Sequence, residues 1–274
     1  MMKPTLLTGA SGALGAMLTR ELAKAGLHLR LTDIRPFPGT VPEGATFTPA
    51  DLNDGAAIAR LAQGCGAILH FGGVSVEQPF EEILGPNLRG LHHIYEAAWR
   101  EGARVVFASS NHTIGFHGQG VQLDADCQFR PDGFYGLSKA YGELMGRLSW
   151  DKHGVENVNL RIGTCLPEPL DARALSTWLS YPDLTRLVLA CLRAPHVGHA
   201  VVWGASANPA GWWAADHRIR IGWVPLDTAE AFRPALEGVL HPSEVARRHQ
   251  GGAFCAMDYS RPRPPPPGDA FDLD

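Results

Sequence analysis

The chain has 274 residues, 45 % of them hydrophobic and 19 % charged, and a formal net charge of −4. That length can bury a large core, as one domain or as one domain with a small lobe, and the composition excludes collagen-like, disordered and membrane classes. Scattered Lys and Arg form no basic stripe for a phosphate backbone, so nucleic acid is not an expected partner, and no segment approaches the roughly 20 apolar residues that span a bilayer.

The start, MMKPTLLTGASG, runs straight into a strand-and-glycine pattern and leaves no room for a signal peptide, so a cytoplasmic address is expected. PTLLT, ALGAMLTRELAKAG and LHLRLTD then read as strand, helix and strand. The rhythm continues through ATFTPAD, a helix from about Asp54, AILHFGG, a helix across EEILGPNLRGLHHIYEAAWR, and ARVVFASS. A helix holding Tyr135, the strand NVNLRIG, a helix in PDLTRLVLACLRA and the strand HAVVWGAS complete it. Strands separated by helices imply right-handed crossovers and a parallel sheet covered on both faces, so the expected fold is α/β, a doubly wound parallel sheet of Rossmann type. Residues 1–163 form the nucleotide-binding part, and 164–260, rich in Pro, Gly and Trp, a small loop-rich C-terminal lobe integrated with it. The end, RPRPPPPGDAFDLD (261–274), reads as a mobile tail. Cys65, Cys127, Cys165, Cys191 and Cys255 form an odd set with no CxxC spacing, which reads as reduced thiols and gives no reason to expect a metal.

After the first strand comes TGASGALG, with Gly9, Gly12 and Gly15 spaced GxxGxxG at the opening of the first helix. The first two glycines permit a tight turn and close approach to a pyrophosphate, the third lets the helix pack on the sheet, and N–H groups at the helix N-terminus face the negative charge. Glycines also end strands, but this trio follows a strand, opens a helix and is followed 18 residues after Gly15 by Asp33 at the end of the second strand. A carboxylate there accepts hydrogen bonds from a ribose 2′-hydroxyl and repels a 2′-phosphate, which favours NAD over NADP; Arg35 is the competing feature, since arginine can accommodate that phosphate. Asp51 and Leu52 have two readings, flanking the adenine or merely starting a helix with an N-cap acid.

Tyr135 and Lys139, four apart, lie on one helix face. For an arbitrary pair this is an exposed aromatic beside a solvated lysine. Here a neighbouring ammonium, joined by the positive nicotinamide ring of an oxidised cofactor, would favour the phenolate and lower a pKa of about 10, making the phenol usable as a base. The strand ARVVFASS ends with Ser109 and Ser110, turn residues in many proteins but placed here beside a nucleotide site.

Together TGASGALG, Asp33, FASSN and YGLSK resemble the extended short-chain dehydrogenase/reductase superfamily over roughly residues 4 to 163. The resemblance implies that Tyr135 is the general acid/base, that Lys139 binds the ribose and tunes it, that Ser110 polarises the reacting hydroxyl, and that Asn87 stands near the lysine in a proton relay. It extends the cofactor set to Ser11, Ala13, Leu14, Phe71, Gly72 and Gly73. HFGGVSVEQPFE, SSNHTIG, RIGTCLPEP, RALSTW and VVWGASANPAGWW are further similar, over nearly the full chain, to the bacterial branch that oxidises C1 of cyclic glucuronate or galacturonate with NAD to the aldarolactone. That similarity implies that Ser75, Ser110, Asn111, His112 and Tyr135 surround the sugar hydroxyls, that Thr164, where serine is common, touches the sugar, that Arg173 holds the carboxylate, and that the protein is a homo-oligomer, with a hexamer as one form. Plainer readings stand beside these: Ser75 as a loop capper, His112 as a structural histidine, Arg173 as a surface ion-pair partner, and tryptophans 178, 203, 212, 213 and 223 as packing. A sugar-nucleotide epimerase or dehydratase is the alternative enzyme, although little more than 100 residues follow Arg161, and an NAD-sensing binding protein is the non-enzymatic one.

Overall fold

A computed structural model describes residues 3–261. Strand β1 (Thr5–Thr8) leads through α1 (Ala13–Lys24) to β2 (Leu29–Thr32) and β3 (Ala45–Phe47), then through α2 (Gly55–Ala62) to β4 (Ala67–His70). Helices α3 (Phe80–Ile83) and α4 (Gly90–Glu101) precede β5 (Arg104–Phe107), and the long α5 (Phe134–His153) precedes β6 (Asn157–Ile162). Short strands β7 (Thr164–Cys165) and β8 (Trp178–Leu179) flank α6 (Ala174–Thr177), after which α7 (Tyr181–Arg193) leads to β9 (His199–Gly204). Seven strands form one parallel sheet in the order β3-β2-β1-β4-β5-β6-β9, the doubly wound arrangement expected. Its order reverses between β1 and β4, so the connections leave in opposite directions there and a crevice opens at the carboxyl ends of the strands.

Neighbouring residues on each central strand serve opposite faces, as the period of two requires. Leu7, Leu69 and Val106 join Leu18 and Leu22 of α1 and Leu184 and Leu187 of α7 in one core layer. Leu6, Ile68 and Val105 join Ile58 of α2 and Leu91 and Ile94 of α4 in the other. Strands buried on both faces are therefore continuous apolar runs.

The single helix expected across EEILGPNLRGLHHIYEAAWR is broken. Pro86 has no N–H to donate, and a π-type turn over Leu84–Arg89 joins α3 to α4. Asn87 lies in that wide turn and is buried.

The lobe also differs from expectation at its boundary. Strand β9 pairs with β6 along six residues, and α7 packs on the sheet, so residues 181–204 belong to the main layers. What stands over the carboxyl edge is residues 164–180 and the chain after β9, anchored by Asp183. Its buried carboxylate accepts from the amides of Leu226 (2.9 Å) and Asp227 (3.0 Å), the Ser206 hydroxyl (2.7 Å) and the Arg186 guanidinium (2.6 Å). Trp178, Trp203 and Trp223 are buried, and Trp203 stacks on Trp213 at 4.9 Å, which fits the packing reading for these rings. The proline-dense tail lies, apart from Arg261, outside the described residues. Among the described residues no helix is long and apolar enough to cross a membrane.

Candidate active site

A cleft of about 580 Å³ opens at the reversal point, lined from β1, β2, β4, β5 and α5. Gly9 ends β1 in the left-handed region (φ 71°), and a side-chain carbon on Gly15 would run into the Gly9 carbonyl. Only glycine lets α1 start this close to the strand, with its N-terminus facing the cleft. Gly12, Ala13 and Leu14 line that mouth.

Asp33, at the end of β2, accepts from the backbone amides of Ser11 (3.0 Å) and Arg35 (3.0 Å), which hold its carboxylate at the cleft. The Arg35 side chain is 69 % exposed and 3.9 Å from Asp33. The N-cap of α2 is Asp54, which accepts from Ala57 N at 2.9 Å; Asp51 instead accepts from Asn53 N at 2.8 Å and stays on the cleft wall beside Leu52. Phe71, Gly72 and Gly73 form the opposite wall. A glycine-lined helix mouth facing a carboxylate fits a dinucleotide with a free ribose diol.

The two serines after β5 point opposite ways. Ser109 donates into the core, to Glu143 at 2.6 Å, where Glu143 meets the buried Arg161 in a two-pronged ion pair (3.0 and 2.8 Å). Ser110 faces the cleft, its hydroxyl accepting from His112 N at 3.2 Å. Tyr135 and Lys139 both line the cleft and both are buried, with the Lys139 Nζ 5.4 Å from the centre of the tyrosine ring. Lys139 donates to the Ala108 carbonyl at 2.8 Å.

The expected depression of the tyrosine pKa is absent. Burial pushes Tyr135 up to about 12, partly offset by the Ser110 hydrogen bond and reinforced by the charge of Asp132. Burial also brings Lys139 down to about 8. Desolvation penalises whichever form is charged, so burial favours the neutral phenol. His70, behind the cleft, is held neutral as well, its pKa brought down to about 3 by burial and then by the Lys139 charge.

Asn87 makes no hydrogen bond to Lys139. Its amide accepts from Val74 N (2.7 Å) and donates to Val74 O (3.0 Å) and to the Ser138 hydroxyl (2.9 Å), which in turn donates to Tyr135 O (2.7 Å). It therefore ties the loop bearing Ser75 to α5. Ser75, His112, Ser110 and Tyr135 line the cleft; Asn111, Thr164 and Arg173 form a connected group behind its wall at Ile162 and Gly163. Arg173 donates to Thr164 Oγ1 (3.1 Å), to Gln250 O (2.7 Å) and, with the Asn111 amide turned to satisfy both neighbours, to its oxygen (2.6 Å). All three acceptors are neutral. No carboxylate among the described residues lies within ion-pair distance of this guanidinium, although burial depresses its pKa and Asp171, then Asp132, counter that.

The NAD dependent epimerase/dehydratase family matches residues 5–180. A uronate dehydrogenase of Pseudomonas putida is 48 % identical over 253 residues, 91 % of this chain and 94 % of that one. This chain belongs to the uronate dehydrogenases of that family. Two solved structures of such enzymes share its fold. The uronate dehydrogenase of Agrobacterium tumefaciens, as a Tyr-to-Ala mutant complexed with NAD, superposes with a TM-score of 0.88 at 46 % identity, covering 93 % of this chain and 98 % of that one. The glucuronic acid dehydrogenase of Chromohalobacter salexigens does so with 0.89 at 42 %, covering 93 % and 97 %.

Phe254 and Glu77, both at the site, escaped the sequence reading. Phe254 stacks on His112 (3.9 Å between centres) and meets Tyr135 edge-on at 6.1 Å. Glu77 accepts from the Phe134 (2.8 Å) and Tyr135 (2.9 Å) amides. Gly133, the N-cap position of α5, has no side chain to do this, so a loop carboxylate replaces it and also favours the positive end of the helix. Only the S/T/D/N-x-x-E cap pattern is legible locally, and Glu77 lies 57 residues from Phe134. Glu77→Ala is expected to cost about 1–2 kcal/mol, the scale of a lost helix cap; calorimetry showing an unchanged melting temperature would mean that α5 does not need this carboxylate.

Proposed function

We propose that the chain is an NAD-dependent uronate dehydrogenase that removes hydride from C1 of cyclic glucuronate or galacturonate and releases the aldarolactone. The observation that carries this is Arg173, a guanidinium bound only to neutral oxygens beside the Ser110–Tyr135–Lys139 cluster. A hexuronic acid differs from its parent sugar by one carboxylate remote from C1, and a planar guanidinium can hold that group through two hydrogen bonds. The named activity of the relatives supports the same reading.

Asp33 would accept from the adenosine ribose, with the glycine-lined start of α1 facing the pyrophosphate and Arg35 turned to solvent. NAD, when bound, supplies the hydride acceptor and a positive ring that favours the phenolate. Ser110 donates to the C1 oxygen and fixes its distance from Tyr135. Tyr135 takes the hydroxyl proton, and Lys139, held by Ala108 O, offsets the resulting negative charge. Thr164 and Asn111 hold the guanidinium in its plane. All five cysteines are free thiols, which suits the reducing cytoplasm expected from the sequence.

The homo-oligomer has a candidate face. Leu137, Leu144 and Leu148 of α5 are 50 %, 58 % and 49 % exposed and share one side of the helix at spacings of seven and four. Leu144→Glu is expected to yield monomers in analytical ultracentrifugation, and a wild-type protein that sediments as a monomer would rule the oligomer out.

Incubation with NAD and either uronate should produce NADH absorbance. Tyr135→Phe should lower turnover by about two orders of magnitude or more, the contribution of a positioned base, with NAD binding retained; near wild-type turnover would remove Tyr135 from the mechanism.

Arg173→Ala should reduce kcat/KM on both uronates by about 2 kcal/mol or more, the scale of hydrogen bonds to a charged group, and much less on neutral glucose or galactose. Equal losses on acidic and neutral sugars would mean that Arg173 supports the lobe and does not read the carboxylate.

A further inference from the structure

Among the described residues the side-chain carboxylates of Asp132, Asp183 and Asp216 are completely buried, and Asp132 is treated differently from the other two, Asp216 accepting from the Trp203 and Arg218 amides and the Arg218 guanidinium. Asp183 receives two amides, a hydroxyl and a guanidinium, the set a structural carboxylate requires. Asp132, just ahead of α5, has one strong partner: its Oδ2 stands 2.6 Å from His112 Nδ1. A weak thiol donor, Cys255, lies 3.9 Å from the same oxygen, and Oδ1 has no hydrogen-bond partner. Space for the group is nevertheless made from three directions. A side-chain carbon on Gly115, Gly136 or Gly251 would overlap the carboxylate, so three separate segments close around it only because each presents bare backbone. A fold that required only packing here would be better served by an apolar side chain, since an incompletely partnered buried carboxylate is costly.

The opposite side of the imidazole explains the arrangement. His112 lies flat on Phe254, at 3.9 Å and 17°, and against the edge of Tyr135 at 5.7 Å, so the ring cannot tilt. Nδ1 is taken by Asp132 while the ring lines the cleft, which leaves Nε2 for a ligand. We propose that Asp132 is a positioning residue for the uronate reaction, holding the Nδ1 proton of His112 so that Nε2 is bare and accepts a hydrogen bond from a sugar hydroxyl next to Tyr135. The step is one of orientation: the bond of one ring nitrogen to a carboxylate fixes what the other can do. It rests on the uronate dehydrogenase reading of the same cleft.

The test is a double-mutant cycle in the full-length protein, with NAD saturating and galacturonate varied. Asp132→Asn is nearly isosteric, but its amide can donate to Nδ1 and move the ring proton to Nε2, which then no longer accepts. That variant should raise KM for galacturonate at least tenfold while its Kd for NAD, read by fluorescence titration, stays within twofold. In a His112→Ala background the same substitution should change kcat/KM less than twofold further, because a residue that acts through His112 has nothing left to act on. A full tenfold loss in that background, or an unchanged KM in the single variant, would overturn the assignment. The 15N spectrum of histidine-labelled wild type, with the His112 signals identified from His112→Ala, needs no Asp132 variant and should show the Nδ1-protonated tautomer; the Nε2-protonated tautomer would overturn it equally. Wild-type turnover of galacturonate in the same series tests the underlying reading by itself, since its absence would end that reading whatever the ring tautomer proves to be.

Discussion

The Lys139 ammonium crosses the gap between α5 and the end of β5 to donate to the Ala108 carbonyl, from a side chain only 7 % exposed. A cation so far out of water keeps its charge only where the backbone brings an acceptor to it, and this one sets how closely α5 stands to the sheet. Tyr135 lies one helical turn before the lysine, and Ser110 two residues beyond the carbonyl. The distance between phenol and serine is thus inherited from one hydrogen bond, and the supports around it keep the same register. Glu77 grips the first amides of α5, while Asn87 reaches from the π-type turn to Val74 on one side and Ser138 on the other.

Burial in the cleft works against ionisation of both central groups. Burial raises the phenol and lowers the ammonium, so it resists the charged form of each.

Behind the cleft, the chain after β9 returns to meet Arg173. Gln250, fully buried, donates from its side chain to Gly118 O (3.0 Å) and Val121 O (2.8 Å) and accepts from Trp213 Nε1 (2.9 Å), while its carbonyl receives Arg173 Nε. The same stretch supplies Gly251, Phe254 and Cys255 around Asp132 and His112. The Arg173 side of the cleft is consequently assembled from both halves of the chain, whereas the glycine-lined side needs little beyond β1 to β5.

That division is also the one between what the sequence determined and what the tertiary structure decided. The strand–helix order, the glycines of TGASGALG, Asp33 and the Tyr135–Lys139 pair were all legible, because each depends on spacings shorter than one βαβ unit and on the periods of single elements. The break at Pro86 was visible as a residue but not as a π-type turn, since the choice between kink, stop and wide turn is made by what Asn87 can reach in space. Between Ser109 and Ser110 composition could not choose, and only family resemblance did; the structure separates them because adjacent strand residues face opposite ways and Glu143 awaits one of them. Resemblance likewise pointed to Arg173, but its neutral partners, the Glu77 cap, the Phe254 platform and the Asp132–His112 contact were invisible. Those contacts join residues from 9 (Thr164 and Arg173) to 142 (His112 and Phe254) positions apart, and no local period records a contact that only chain folding can make.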